Sequence, residues 1–229
     1  MREFKIDKCP YDTGLQVYDN SKIEIKEGVT VLVGCNGSGK STLLRTVKEQ
    51  LKEAGIPVME YDNYSMGGSY SMQKLLDEGK LDILAEMAIS SEGEKIYINM
   101  NDFAGKLKGW FERNKDKEEY WLLFDAIGSG LSIDYIIELK NLFELICFDM
   151  ARKKKKMYIV VSTNEYEFCI RNNGFDVQKG KYIEITDYAS YREIIQKSRE
   201  KKNKYYEKYL DKKYHRGRDR NVHQTIKEL

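Results

Sequence analysis

The sequence predicts an α/β protein with a core sheet flanked by helices. Three observations carry that expectation. The run Gly34-Cys35-Asn36-Gly37-Ser38-Gly39-Lys40-Ser41-Thr42 lies between an apolar strand, Val29-Thr30-Val31-Leu32-Val33, and the helical start Leu43-Leu44. A second apolar run, Tyr120-Trp121-Leu122-Leu123-Phe124, ends in a carboxylate, Asp125, which stands 85 residues beyond Lys40. Between and after these, short apolar strand patterns alternate with helical periodicity, the signature of layered α/β folds.

Taken in order, residues 1–28 alternate apolar and polar in places, as in Ile23-Glu24-Ile25-Lys26, and predict short antiparallel strands turning at Glu27-Gly28. Residues 29–33 form the first core strand, and residues 40–54 a helix stopped by Gly55. The strand Ile56-Pro57-Val58-Met59-Glu60-Tyr61 follows, with its proline at the strand end. Residues 62–94 read as helical with breaks at Gly67-Gly68 and Gly93. Residues 95–113 place Ile96, Met100, Phe103, Leu107 and Trp110-Phe111 at spacings of three and four, an amphipathic helix. Together, residues 62–113 form a small helical subdomain. A strand over 120–124, a helix over about 132–152 and a strand over 157–161 come next. Val177 and Tyr182-Ile183-Glu184-Ile185 then form a hairpin about Lys179-Gly180-Lys181. Residues 1–188 constitute one domain, and residues 189–229 a basic, helical tail.

Length and composition narrow the class. At 229 residues with 41% hydrophobic content, the chain suits one α/β domain with a small appendage. No apolar run approaches the ~18–20 residues of a membrane span, and Met1-Arg2-Glu3-Phe4-Lys5 lacks a signal-peptide apolar region. Cys9, Cys35, Cys147 and Cys169 show no CxxC spacing and read as reduced thiols, so a cytoplasmic location is expected. The net charge of +2 is unevenly spread. Residues 190–229 hold 13 Lys/Arg against 6 Asp/Glu, or +7, leaving −5 on the rest.

The glycine-rich run matches the phosphate-binding loop pattern in its required strand–loop–helix setting. In such a loop, backbone N–H groups and a helix N-terminus favour a polyphosphate. Lys40 reaches the β- and γ-phosphates, Ser41 offers its hydroxyl to Mg²⁺, and Gly37 and Gly39 let the backbone wrap closely. Asn36, Ser38 and Thr42 complete the phosphate-binding set of the loop. Asp125, at the end of a strand expected beside the loop-bearing strand, is the expected magnesium-site carboxylate; capping the next helix is its other reading. Cys35, near a helix N-terminus, allows a redox role or is simply a tolerant loop position.

With these motifs in place, the chain resembles the ABC-type ATPases, including their soluble relatives in DNA repair and chromosome maintenance. Ile89-Ser90-Ser91-Glu92-Gly93-Glu94 is similar to the LSGGQ signature, with Ser91 and Gly93 in the serine and second-glycine places. Asp125-Ala126-Ile127-Gly128-Ser129-Gly130-Leu131-Ser132 resembles Asp-Glu-Pro-Thr-Ser-Gly-Leu-Asp, and Ile159-Val160-Val161-Ser162-Thr163-Asn164 resembles the strand ending Ser-Thr-His. The likeness spans about residues 28–164. It implies a P-loop NTPase core of the ABC type, ATP and Mg²⁺ as ligands, and a two-fold homodimer in which Ser91 and Gly93 meet the other subunit's nucleotide. The other reading of residues 90–94 is a polar helix-start loop.

The departures from that family are as informative. Ala126 stands where a glutamate would polarise the attacking water, Asn164 where a histidine would contact the γ-phosphate, and Ser132 where the following loop carries Asp. Loss of a general base costs ~10²–10⁴-fold in rate, so the resemblance implies slow hydrolysis; Glu165 and Asp134 are the carboxylates that could take the role. Neither the 50 residues from Lys40 to Ser90 nor the 30 from Glu94 to Phe124 can hold a long coiled coil. Gln73 is the glutamine-loop candidate, and Tyr11 and Tyr18 are candidates for stacking on adenine. Arg152-Lys153-Lys154-Lys155-Lys156 reads as a solvated turn or a nucleic-acid contact. The tail, with Tyr205-Tyr206, Tyr209 and Tyr214 among its cations, reads as a docking helix for a protein effector or a nucleic-acid grip. The function expected is an ATP-dependent homodimerisation switch. The alternatives are an active ATPase subunit of a nucleic-acid or transport machine, and a nucleic-acid-binding protein using its tail.

Overall fold

The computed structural model describes residues 1–62, 103, 105–128 and 131–225. Two short strands, β1 (Arg2–Lys5) and β2 (Lys22–Ile25), pair antiparallel into a sheet of their own, as the alternation over residues 1–28 predicts. The main sheet has six strands: β3 (Gly28–Val33), β4 (Val58–Asp62), β5 (Glu119–Asp125), β6 (Lys156–Ser162), β7 (Asn173–Asp176) and β8 (Lys181–Ile183). Their spatial order is β4-β5-β6-β3-β7-β8. All neighbours are parallel except β7 and β8, which form the antiparallel hairpin.

The central strands read as unbroken apolar runs because both of their faces are covered. On β5, Tyr120, Leu122 and Phe124 enter one hydrophobic cluster, while Trp121 and Leu123 enter the other. On β6, Met157, Ile159 and Val161 divide from Tyr158 and Val160 in the same way. One face packs against helix α2 (Ile133–Arg152) through Ile136, Leu139 and Phe143. Phe103 and Leu107 join this cluster, so the described part of the amphipathic stretch 95–113 turns the face its spacing predicts. The opposite face packs against helix α1 (Lys40–Glu53), through Leu43, Leu44, Val47 and Leu51, and against Phe4, Ile23 and Ile25 of the small sheet.

Two expectations are corrected here. Asp125 does not end a strand beside the loop-bearing strand, because β6 lies between β5 and β3. The hairpin begins earlier than Val177, at Asn173, and its first strand pairs parallel with β3. The sequence Asn-Gly-Phe-Asp has poor intrinsic strand preference; pairing on both sides holds it.

The C-terminal helix, α3 (Tyr188–Thr225), is 38 residues long. Its first turns are packed on the body rather than set apart as a tail. Tyr191 and Ser198 are buried, and Ile194 and Ile195 lie against the core. Further along, Lys201 and Tyr205 both hydrogen-bond the Asp19 carboxylate. Among the described residues, no helix is long and apolar enough to cross a membrane.

Candidate functional site

The carboxyl ends of β3, β5 and β6 open on a cleft of about 480 Å³. The glycine-rich loop leaves β3 and enters α1 at Lys40. Gly39, at φ +96°, is the residue before the helix, and no side chain caps that end. The first turn of α1 carries no acidic residue. Its free N–H groups and the positive end of its dipole therefore remain available to an anion. The close wrap at Gly39 is enforced from below: a Cβ there would lie 2.6 Å from a Val17 methyl and 2.7 Å from the Tyr18 hydroxyl.

Lys40 is folded over the loop. Its Nζ donates to the Gly34 carbonyl at 2.7 Å and to Asn164 Oδ1 at 3.0 Å. Burial pushes its pKa below the ordinary lysine value, against the opposing pull of Cys35 and Asp125. Ser41 Oγ donates to Asp125 Oδ1 at 3.0 Å, so the two groups meet although β6 separates their strands. The Ile127 N–H bonds the Ser162 carbonyl at 3.1 Å and ties the loop after β5 to the end of β6. Ala126 sits in the left-handed region at φ +53°, its N–H bonded to Asp125 Oδ1 at 2.9 Å.

Asn164, just past β6, is held on three sides. Its Oδ1 accepts from Lys40, its Nδ2 donates to Asn36 Oδ1 at 2.9 Å, and its carbonyl accepts the Tyr191 hydroxyl at 2.8 Å. Asn36, Gly37, Gly39, Lys40, Ser41 and Thr42 all line the cleft. Ser38 does not. Its hydroxyl is buried without a partner beneath the loop, 2.5 Å from where a Cβ on Gly34 would stand.

The two tyrosine candidates separate. Tyr11 lines the cleft, 40% exposed, and hydrogen-bonds the Thr42 hydroxyl at 3.1 Å. Tyr18 is buried and spends its hydroxyl on the Gly39 carbonyl at 2.7 Å, so it is a prop for the loop and not a stacking platform. Glu165 lines the cleft, whereas Asp134 is exposed on the first turn of α2 and does not. Gln73, Ser91 and Gly93 lie outside the described residues.

Sequence reasoning missed the grip of α3 on the loop. The buried Ser198 Oγ accepts the Cys35 N–H at 3.0 Å and donates to Gln178 Oε1 at 2.8 Å. Lys202 Nζ donates to the Asn36 carbonyl at 3.0 Å. The signal lay in the spacing of Tyr191, Ile194, Ile195, Ser198 and Lys202, one helix face, masked by the charge around it.

Ser41 and Asp125 suit Mg²⁺, which takes one or two protein oxygens and completes its shell with water and phosphate oxygens. No cluster of three or more His, Cys, Asp or Glu side chains occurs among the described residues, and magnesium bound with a nucleotide does not need one. No protein-family model matches the chain, and no curated protein matches it.

Proposed function

We propose that the chain is a P-loop NTPase of the ABC type that binds Mg²⁺-ATP in this cleft and serves as a nucleotide-dependent dimerisation switch for a protein effector. The observation that carries the reading is the convergence of Lys40, Ser41 and Asp125 at an uncapped helix N-terminus, with Ala126 beside them. Lys40 and the α1 N-terminus bind the polyphosphate. Ser41 and Asp125 hold Mg²⁺, which when bound neutralises phosphate charge. Asn164, fixed by Tyr191, orients Lys40 and stands where the family's histidine would contact the terminal phosphate. Tyr11 flanks the adenine.

Hydrolysis is slow because position 126 offers no carboxylate. Among the described residues lining the cleft, the acids are Asp125 and Glu165. With Asp125 given to the metal, Glu165 is the one left to activate water. The homodimer, with Ser91 and Gly93 closing on the partner's nucleotide, rests on the resemblance of residues 89–94 to the signature segment. ATP that binds the dimer more tightly than the monomer drives association by linkage.

The test is light-scattering mass with and without Mg²⁺-ATP, with phosphate release followed in the same sample. A doubled mass with little phosphate supports the switch; an unchanged mass with ATP bound overturns it. Ala126→Glu should raise turnover ~10²-fold, the low end of what a positioned general base supplies. An unchanged rate would remove position 126 from the account.

A further inference from the structure

A second cavity, about 360 Å³, backs onto the first. The two share Asn36 and Asn164 as a common wall. The far wall is one face of α3, where Tyr188, Arg192, Gln196 and Arg199 recur at helical spacing. No acidic side chain lines this cavity, and neither arginine forms an ion pair among the described residues. Glu193 on the same helix is turned away and pairs with Lys197 at 2.5 Å. Arg192 and Arg199, about 10 Å apart along the helix axis at 1.5 Å rise per residue and unpaired among the described residues, form a cationic wall with planar donors suited to phosphate.

An aromatic group completes the site. The Tyr188 ring packs edge-on against Tyr166 at 5.4 Å and lies 6.4 Å from Tyr191, yet it is 61% exposed. A ring braced by two neighbours but open to solvent is a stacking platform. From this juxtaposition we infer that the cavity between α3 and the Asn36–Asn164 wall is a second site, one that takes a base-bearing phosphate on Arg192, Arg199 and Tyr188. The ligand is either a free nucleotide or a unit of a single-stranded nucleic acid. This goes beyond ATP binding in the main cleft and does not depend on it.

The full chain is titrated against a short fluorescein-labelled oligothymidylate by anisotropy at several salt concentrations, with thymidine monophosphate as competitor. The wild type should bind, and Arg192→Ala/Arg199→Ala should weaken binding more than tenfold. That variant should also reduce the slope of log affinity against log salt by ~1.4, the expectation for two phosphate contacts on a single strand. Lys212→Ala/Lys213→Ala, which removes two exposed charges from the same helix outside the cavity, should cost clearly less. Displacement by thymidine monophosphate assigns a free-nucleotide site; binding of the strand alone assigns nucleic acid.

The inference is overturned if the wild type binds neither probe, or if the two double variants weaken binding equally. Lys40→Ala separates this site from the main cleft. It should abolish ATP binding and spare the oligonucleotide. Loss of oligonucleotide binding in Lys40→Ala with retention in Arg192→Ala/Arg199→Ala would place the strand in the main cleft and refute the second site. Wild type that binds oligonucleotide but not ATP would sink the proposed function and leave this site standing.

Discussion

Ser198→Ala tests whether α3 is part of the loop's foundation. Ser198 joins two buried groups, the Cys35 amide at 3.0 Å and Gln178 Oε1 at 2.8 Å. Cys35 is 4% exposed and Gln178 2% exposed, so neither can recover its bond from bulk water. Leaving a buried polar group unpaired costs ~1–3 kcal/mol. With two groups orphaned and the small void free to relax, a loss of ~2–4 kcal/mol is expected, a large share of the ~5–15 kcal/mol that stabilises a typical domain. Urea unfolding reads it as a lower midpoint at constant slope. Because the Cys35 amide belongs to the loop, the proposed function further predicts that ATP affinity falls several-fold in the same variant. A change under ~0.5 kcal/mol, the range of an ordinary surface substitution, would show that α3 rests beside the loop without holding it.

Two more substitutions and a pH profile extend this. Gly39→Ala combines left-handed backbone strain of ~1–2 kcal/mol with overpacking against Val17 and Tyr18 of ~1–3 kcal/mol, and thermal unfolding should fall accordingly. Gly14→Ala, also at positive φ but with open space around it, should cost the strain alone; equal losses at the two positions would refute the packing argument. On the proposed function, ATP affinity should decline as pH rises from neutrality toward the ordinary lysine range. The half-buried Lys40, its pKa lowered, gives up its proton before a solvated lysine would, and Lys40→Arg should flatten the profile. Stability runs the other way. The unfolded chain holds that proton more tightly, so the penalty of burying the charge is present below the lowered pKa and is lifted as pH rises through it toward 10.5.

Among the described residues, most of the strand and helix pattern was legible in the sequence. Core strands buried on both faces appear as apolar runs, and the loop's glycines, lysine and serine carry their own geometry. β3, α1, β5, α2 and β6 fall where the sequence places them, within a residue or two at their ends. β4 starts after Pro57 rather than at Ile56, since proline cannot donate to the ladder. Tyr11 and Tyr18 were equivalent in sequence, because both are aromatics preceding the loop; only the path of residues 6–18 beneath Gly39 separates a cleft-lining ring from a buried prop. Glu165 and Asp134 were likewise indistinguishable until the position of each relative to the cleft was known.

The sequence by itself determined the α/β class, the loop, the carboxylate at the end of β5 and the absence of a glutamate after it. Each is a local pattern, set by the period of the backbone and the chemistry of adjacent residues. Tertiary structure decided that β6 lies between β3 and β5, that Asn164 bridges Lys40 and Asn36, and that α3 returns to hold the loop through Ser198 and Lys202. These depend on which distant segments pair and pack. Local periodicity carries no record of that choice, because an apolar strand or a mixed helix face satisfies its own pattern equally well beside several partners; burial across the whole sheet selects one of them.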